Sequence, residues 1–320
     1  MPEPLIETAE SQVRVTQRPN NAGQFFSLRT NVGRFVWFLV LLTAGFSKEL
    51  ATLTRHVAHS ELHSYILLVP FVSAYLLYTE RARLPTSYSS WLLPALGAFA
   101  LGVLALSSAA IIPALSINDH LTVVTFSFIC FVVSGGLIFL GRAWMTAAAF
   151  PFFFLVFLIP MPDAMADFLE TASKLASTEV TDFFFNITGL PVVRDGTAFQ
   201  LPTIAIQVAQ ECSGIRSSWI LVITSLVVSN LFLKTTWRRG VLVLFVVPLG
   251  IVRNGFRIWV IGELCTYFGP QMIHSIIHRR GGPLFFALSL IPLLALAVYL
   301  RRGEIRSSGR AQKSSSYMIS

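Results

Sequence analysis

The sequence predicts an all-α integral membrane protein, a bundle of about eight transmembrane helices with one structured external loop. Three observations carry this. Of the 320 residues, 54% are hydrophobic and 12% charged, with a mean hydropathy of +0.67, which lies outside the balance of a soluble globular domain. Apolar runs close to the ~20 residues that span a hydrocarbon core recur along the chain. The basic residues collect mostly at the ends of those runs.

The runs fall at about 33–53, 64–80, 91–111, 120–140, 143–160, 213–233, 240–262 and 283–300. The first is the weakest, because its clean apolar stretch, Phe35 to Phe46, must continue past Lys48 and Glu49, so seven or nine spans stay open. Residues 1–30 and 304–320 read as polar tails on either side of a single membrane domain over 31–303. The N-terminus, MPEPLIETAE, is acidic and polar where a cleavable signal would start basic, so the first span is expected to stay attached. Orientation follows from lysine and arginine. With the N-terminus inside, Arg81, Arg83, Arg142, Lys234, Arg238, Arg239 and the basic tail from Arg301 to Lys313 are cytoplasmic. Only Lys48, Arg55, Lys174, Arg194, Arg279 and Arg280 then fall outside, so both termini are placed in the cytoplasm.

Net charge is +8 with an isoelectric point near 9.8. No aromatic-interleaved basic patch stands apart from the span ends, so the partner implied is the lipid bilayer and not nucleic acid. The three cysteines, Cys130, Cys212 and Cys265, form no CxxC pair and no Cys/His cluster with metal spacing. Neither a disulfide framework nor a metal site is expected, and the chemistry below needs no cofactor.

The external segment, about 161–212, has its own organisation. DAMADFLETASKLASTEVTDFFF spaces apolar residues for an amphipathic helix lying in the interface. Asp195-Gly196, between two short β-prone runs, predicts a hairpin. The segment ends at Cys212, where the sixth span begins.

Three reactive positions converge on one side under this topology: Cys212 at the mouth of span six, Arg257 toward the outer end of span seven and His278 in the loop before span eight. A thiol at a helix N-terminus meets partial positive charge that lowers its pKa. Arg216, four residues on, adds to this if the helix already includes Cys212. The plainer reading is an inert small residue at a span end. Arg253 and Arg257, four apart, share a helix face, and an arginine within a bilayer faces the protein interior or a water-filled cavity. For Arg257 snorkelling to the interface is the simpler account. Arg216 and Arg253 call for a buried partner, with Glu211 and Glu263 as candidates. His278 has the chemistry of a general base and acid, although with His274 nearby both also fit as ordinary loop residues.

The stretch from Cys212 to Gly282 resembles the exosortase and archaeosortase family. The resemblance rests on Cys212-Ser213-Gly214-Ile215-Arg216-Ser217, on Asn254-Gly255-Phe256-Arg257, and on His278-Arg279-Arg280-Gly281-Gly282. Upstream it extends through Ser64-Tyr65 with Leu68-Val69-Pro70, Phe157-Leu158-Ile159-Pro160-Met161-Pro162 and Gly189-Leu190-Pro191-Val192-Val193, covering roughly 64–300. It implies a cysteine transpeptidase or protease at the outer face of a bacterial inner membrane. The substrates implied are membrane-tethered proteins with a C-terminal sorting signal: a brief motif such as Pro-Glu-Pro, a transmembrane helix and a basic cluster. It also implies roles: Cys212 the nucleophile, Arg257 the oxyanion or carbonyl donor, His278 the proton carrier, with Arg216, Asn254, Glu211 and Arg253 in support. Two other classes stay open from the residues alone. One is a transporter or channel that binds an anionic solute through the intramembrane arginines, and the other a non-catalytic subunit of an envelope polysaccharide assembly system.

Overall fold

The computed structural model describes residues 21–60, 62–85, 88–112, 115–208, 214–274 and 282–317, with side-chain surroundings given for 30–272 and 282–307 among them. It is an all-α membrane bundle carrying one small sheet. Among the described residues, five helices are long and apolar enough to cross a membrane, or up to seven if each of two bent pairs is one span. The upper figure meets the open alternative of seven and a count of eight is not confirmed; three predicted spans are not single straight helices.

The first predicted span divides into α1 (Asn21–Gly45) and α2 (Ser47–His59), bent by 71° at Phe46. The cause is compositional. Past Phe46 the chain carries Lys48, Glu49 and Arg55, and only one face of α2, through Leu53 and Val57, is buried. The second predicted span is a 3-10 turn, Ser64–Leu68, followed by the 12-residue α3 (Val69–Glu80), which carries Pro70 in its first turn, where proline's missing N–H costs nothing. The fifth, 143–160, breaks into α6 (Arg142–Ala147), α7 (Ala149–Phe154) and a 3-10 turn, Leu155–Leu158. Pro151 cannot donate to the carbonyl four residues back, and the helix breaks at Ala148 just ahead of it.

Between these lie α4 (Leu92–Ile111) and α5 (Ile117–Phe139), close to their predicted bounds. Their packing is tight and polar in places: Ser127 and Ser134 donate to the Gly102 and Ala95 carbonyls at 2.7 and 2.9 Å, the small-residue contact expected of helices in lipid. At the start of α5, Ser116 and Asn118 donate to the Asp163 carboxylate at 2.5 and 2.7 Å, and Asn118 also donates to the Met161 carbonyl. The Met161 N–H reaches His63 Nε2 at 3.3 Å, in the turn between α2 and α3. Burial, and then the neighbouring His56, holds the His63 ring below its ordinary pKa, so it serves as a neutral acceptor.

The segment between the fifth and sixth predicted spans folds as its pattern indicates. α8 (Asp163–Thr188) is followed by β1 (Val193–Asp195), β2 (Ala198–Gln200) and β3 (Ala205–Gln207), an antiparallel sheet in the order β1-β2-β3. Gly196, at φ 58°, occupies the first position of a two-residue hairpin turn that a side chain would strain. Phe199 and Ile206 point inward from the sheet and pack with Phe185, Ile258, Ile261 and Cys265. The chain then enters α9 (Ile215–Phe232), α10 (Thr236–Phe268) and α11 (Gly282–Tyr317). α9, α10 and α11 share a core of Leu221, Leu242, Val246, Leu293 and Leu300. At one end of this trio Glu304 of α11 accepts from the Lys234 N–H (3.0 Å), the Thr235 N–H (2.6 Å) and the Thr235 hydroxyl. Arg238 donates back to the Leu300 carbonyl at 2.7 Å.

Candidate functional site

The site is assembled at the other end of α9, where α8, α9 and α10 meet. Glycines let the helices approach. A Cβ on Gly250 would lie 2.6 Å from Ser218 Oγ of α9, and one on Gly255 would lie 2.7 Å from Val180 Cγ1 of α8. The buried stripe of α8 is polar and small, with Ser177, Thr178 and Thr181. It bonds to α10 directly: Asn254 Nδ2 donates to Ser177 Oγ at 3.1 Å, and Thr181 Oγ1 lies 3.3 Å from the Gly255 carbonyl.

Gly214, the N-cap of α9, is left-handed at φ 71°. A Cβ there would fall 2.8 Å from Asn254 Oδ1 and 3.2 Å from Arg253 Nη2, so both the backbone conformation and the space demand glycine. Arg253 is only 7% exposed. Its Nη2 donates to the Gly214 carbonyl at 3.0 Å and to Ser218 Oγ at 3.2 Å, while its buried Nη1 has no hydrogen-bond partner among the described residues. A buried donor nitrogen without a partner among the described residues is rare in folded proteins.

Several positions differ from the sequence expectation. The helix of span six starts at Ile215, after the left-handed Gly214; Arg216 is the second residue of α9 and is exposed. Glu263 accepts from Trp259 Nε1 at 3.0 Å, whereas the Arg253 partners described are the Gly214 carbonyl and the Ser218 hydroxyl. Arg257 is half-buried one turn beyond Arg253, but α10 continues to Phe268, six residues past the predicted end. Cys265 is a buried free thiol. Glu211, Cys212 and His278 lie outside the described residues.

A family model described as transmembrane exosortase (Exosortase_EpsH) matches residues 54–295. The chain belongs to the transmembrane exosortase family. No curated protein and no solved structure matches it. The match runs from within α2 to within α11, so the contact between Gly214 and Asn254 lies wholly inside it. Ser177, Thr181 and Ser218, which complete that contact, went unnoticed in the sequence. The signal was there for two of them: Ser177 and Thr181 are four apart on a helix whose apolar stripe is interrupted just where they stand.

Proposed function

We propose that this exosortase is a cysteine transpeptidase or protease of a bacterial inner membrane, with both termini cytoplasmic and its site open to the periplasm. It cuts a C-terminal sorting signal from membrane-tethered proteins. Cys212 attacks the scissile carbonyl, Arg257 donates to the oxygen on which negative charge develops, and His278 carries the proton to the leaving amine. The acyl-enzyme on Cys212 is then resolved by an amine, a hydroxyl or water.

The observation that carries this reading is the positive end of α9. Cys212 is two residues from Gly214 in the chain, hence within about 7 Å of it from Cα to Cα. Gly214 is the N-cap of α9, whose unsatisfied N–H groups contribute partial positive charge, and it accepts from the buried Arg253. A cation at a helix N-terminus is normally unfavourable, and an anion placed there relieves both. A thiolate, and later an oxyanion, is such an anion. Arg253 therefore supports the site as a positioning and electrostatic residue, while Arg257 of the Asn-x-x-Arg block is assigned to the substrate.

The test is a reporter protein ending in Pro-Glu-Pro, an apolar helix and a basic cluster, expressed with this chain or with Cys212→Ala. Mass spectrometry of the reporter's new C-terminus is expected to show the signal removed only with the unaltered chain. An intact signal in both, or equal removal by Cys212→Ala, overturns the proposal.

A further inference from the structure

The external sheet has an open edge that leads to the site. β3 is an outer strand of the order β1-β2-β3. Its pairing with β2 sets which backbone groups are free. The Leu201 N–H reaches the Ile204 carbonyl at 2.9 Å and the Val208 N–H the Thr197 carbonyl at 3.0 Å. These contacts share the register of Phe199 opposite Ile206, so Ile206 is the residue of β3 that exchanges bonds with β2. Alternation then turns the N–H and C=O groups of Ala205 and Gln207 to the other side, and both residues are exposed. No backbone bond on that side is found among the described residues.

The direction of this strand matters as much as its edge. Thr203, just before β3, donates to the Cys265 carbonyl at 3.1 Å, and Gly214, after it, accepts from Arg253. Cys265 and Arg253 are about 18 Å apart along α10 at the helical rise. Thr203 and Gly214 are thus both held against α10, on either side of the turn that carries Arg257. A polypeptide paired with β3 would be led along the same line. Open, alternate N–H and C=O groups recognise an extended main chain and nothing else as well.

Building on the function proposed above, we infer that β3 is a receiving strand: the extended segment of the substrate around its scissile bond adds to the edge of Ala205 and Gln207 as a fourth strand. Affinity comes from main-chain bonds, which makes the site tolerant of side chains on the substrate. The pairing also holds the substrate extended beside Arg257.

Two measurements test this on the full-length protein in liposomes with the same reporter. In the first, Gln207→Pro removes the outward N–H whereas Gln207→Ala keeps the main chain, and the ratio of their kcat/KM values reads the lost bond. A ratio of about tenfold or more in favour of alanine is expected; equal rates would overturn the inference. The second does not depend on cleavage or on the proline variant folding. Ala205→Cys and Gln207→Cys are introduced with Cys212→Ala, Cys130→Ala and Cys265→Ala, and oxidised against reporters carrying single cysteines around the Pro-Glu-Pro motif. Cross-links at every second reporter position support a strand. No cross-link, or one repeating every three to four positions, rejects it. If the unaltered chain leaves the reporter whole, the proposed reaction fails, and the cross-linking pattern still decides the binding mode.

Discussion

The two ends of α9 are held by opposite charges, and the difference separates a structural latch from a site. At its C-terminal end the loop into α10 is gripped by Glu304, whose carboxylate accepts from two backbone N–H groups and a hydroxyl. These donors belong to Lys234 and to Thr235, the N-cap of α10, so a negative group sits at a positive helix end and satisfies three donors. At its N-terminal end the helix is gripped by Arg253, a positive group at a positive end, with a left-handed glycine beneath it and one buried nitrogen that has no partner among the described residues. The first arrangement is closed. The second sets a cation at a positive helix end, and local conflicts of this kind concentrate where function is carried out.

If that contrast is right, substitutions at the two ends should part company. The largest effect is expected at Arg257. Arg257→Lys keeps the charge but loses the planar fork of donors, so the turnover rate on the reporter should fall by about a hundredfold or more with the protein still folded. Near-normal turnover would mean that the wrong arginine has been assigned to the substrate.

Next is Gly214→Ala. A side chain at φ 71° costs ~1–2 kcal/mol, and its Cβ would meet Asn254 Oδ1 at 2.8 Å. A drop of about tenfold in kcat/KM is expected, with Asn254→Ala as the companion that opens the space: the double variant should recover part of the loss if contact, and none if backbone conformation, dominates.

Arg253→Met should act on the thiol. Removing the buried cation is expected to move the alkylation of Cys212 to higher pH, read as the pH dependence of alkylation of a protein whose other cysteines are replaced. Arg253→Lys should restore part of that shift. An unchanged profile in Arg253→Met would reduce Arg253 to a packing role. The smallest effect on chemistry belongs to Glu304→Ala, which should cost about 1–3 kcal/mol of stability by leaving its donors unpaired and should leave the alkylation profile of Cys212 as it was. A shift there would erase the distinction between the two ends.

Much of this was legible beforehand, for reasons that can be named. A helix and a hairpin ahead of α9 were announced by a helical apolar stripe and by Asp195-Gly196, which are local signals, and they appear as α8 and the turn at Gly196. The break in the fifth predicted span was also local, because Pro151 stands inside it, but hydropathy averages over such a residue and hid it. The bend at Phe46 was marked by Lys48 and Glu49, which a purely apolar count passes over. The role of Arg253 was not legible. Its position on α10 was visible, but its partners are a carbonyl and a hydroxyl, and neither type distinguishes itself in a sequence from any other residue. The same holds for the seam between α8 and α10, where Ser177 meets Asn254.

The account stands most directly on one species, an acyl-enzyme at Cys212. Quenching a reaction between the full-length protein and the Pro-Glu-Pro reporter in acid, then mapping the adduct by tandem mass spectrometry, would show it. The account predicts the upstream part of the reporter in thioester linkage to Cys212, released by hydroxylamine and absent from Cys212→Ala. A reporter cut at the normal rate with no adduct on Cys212, together with full cutting by Cys212→Ala, would contradict it.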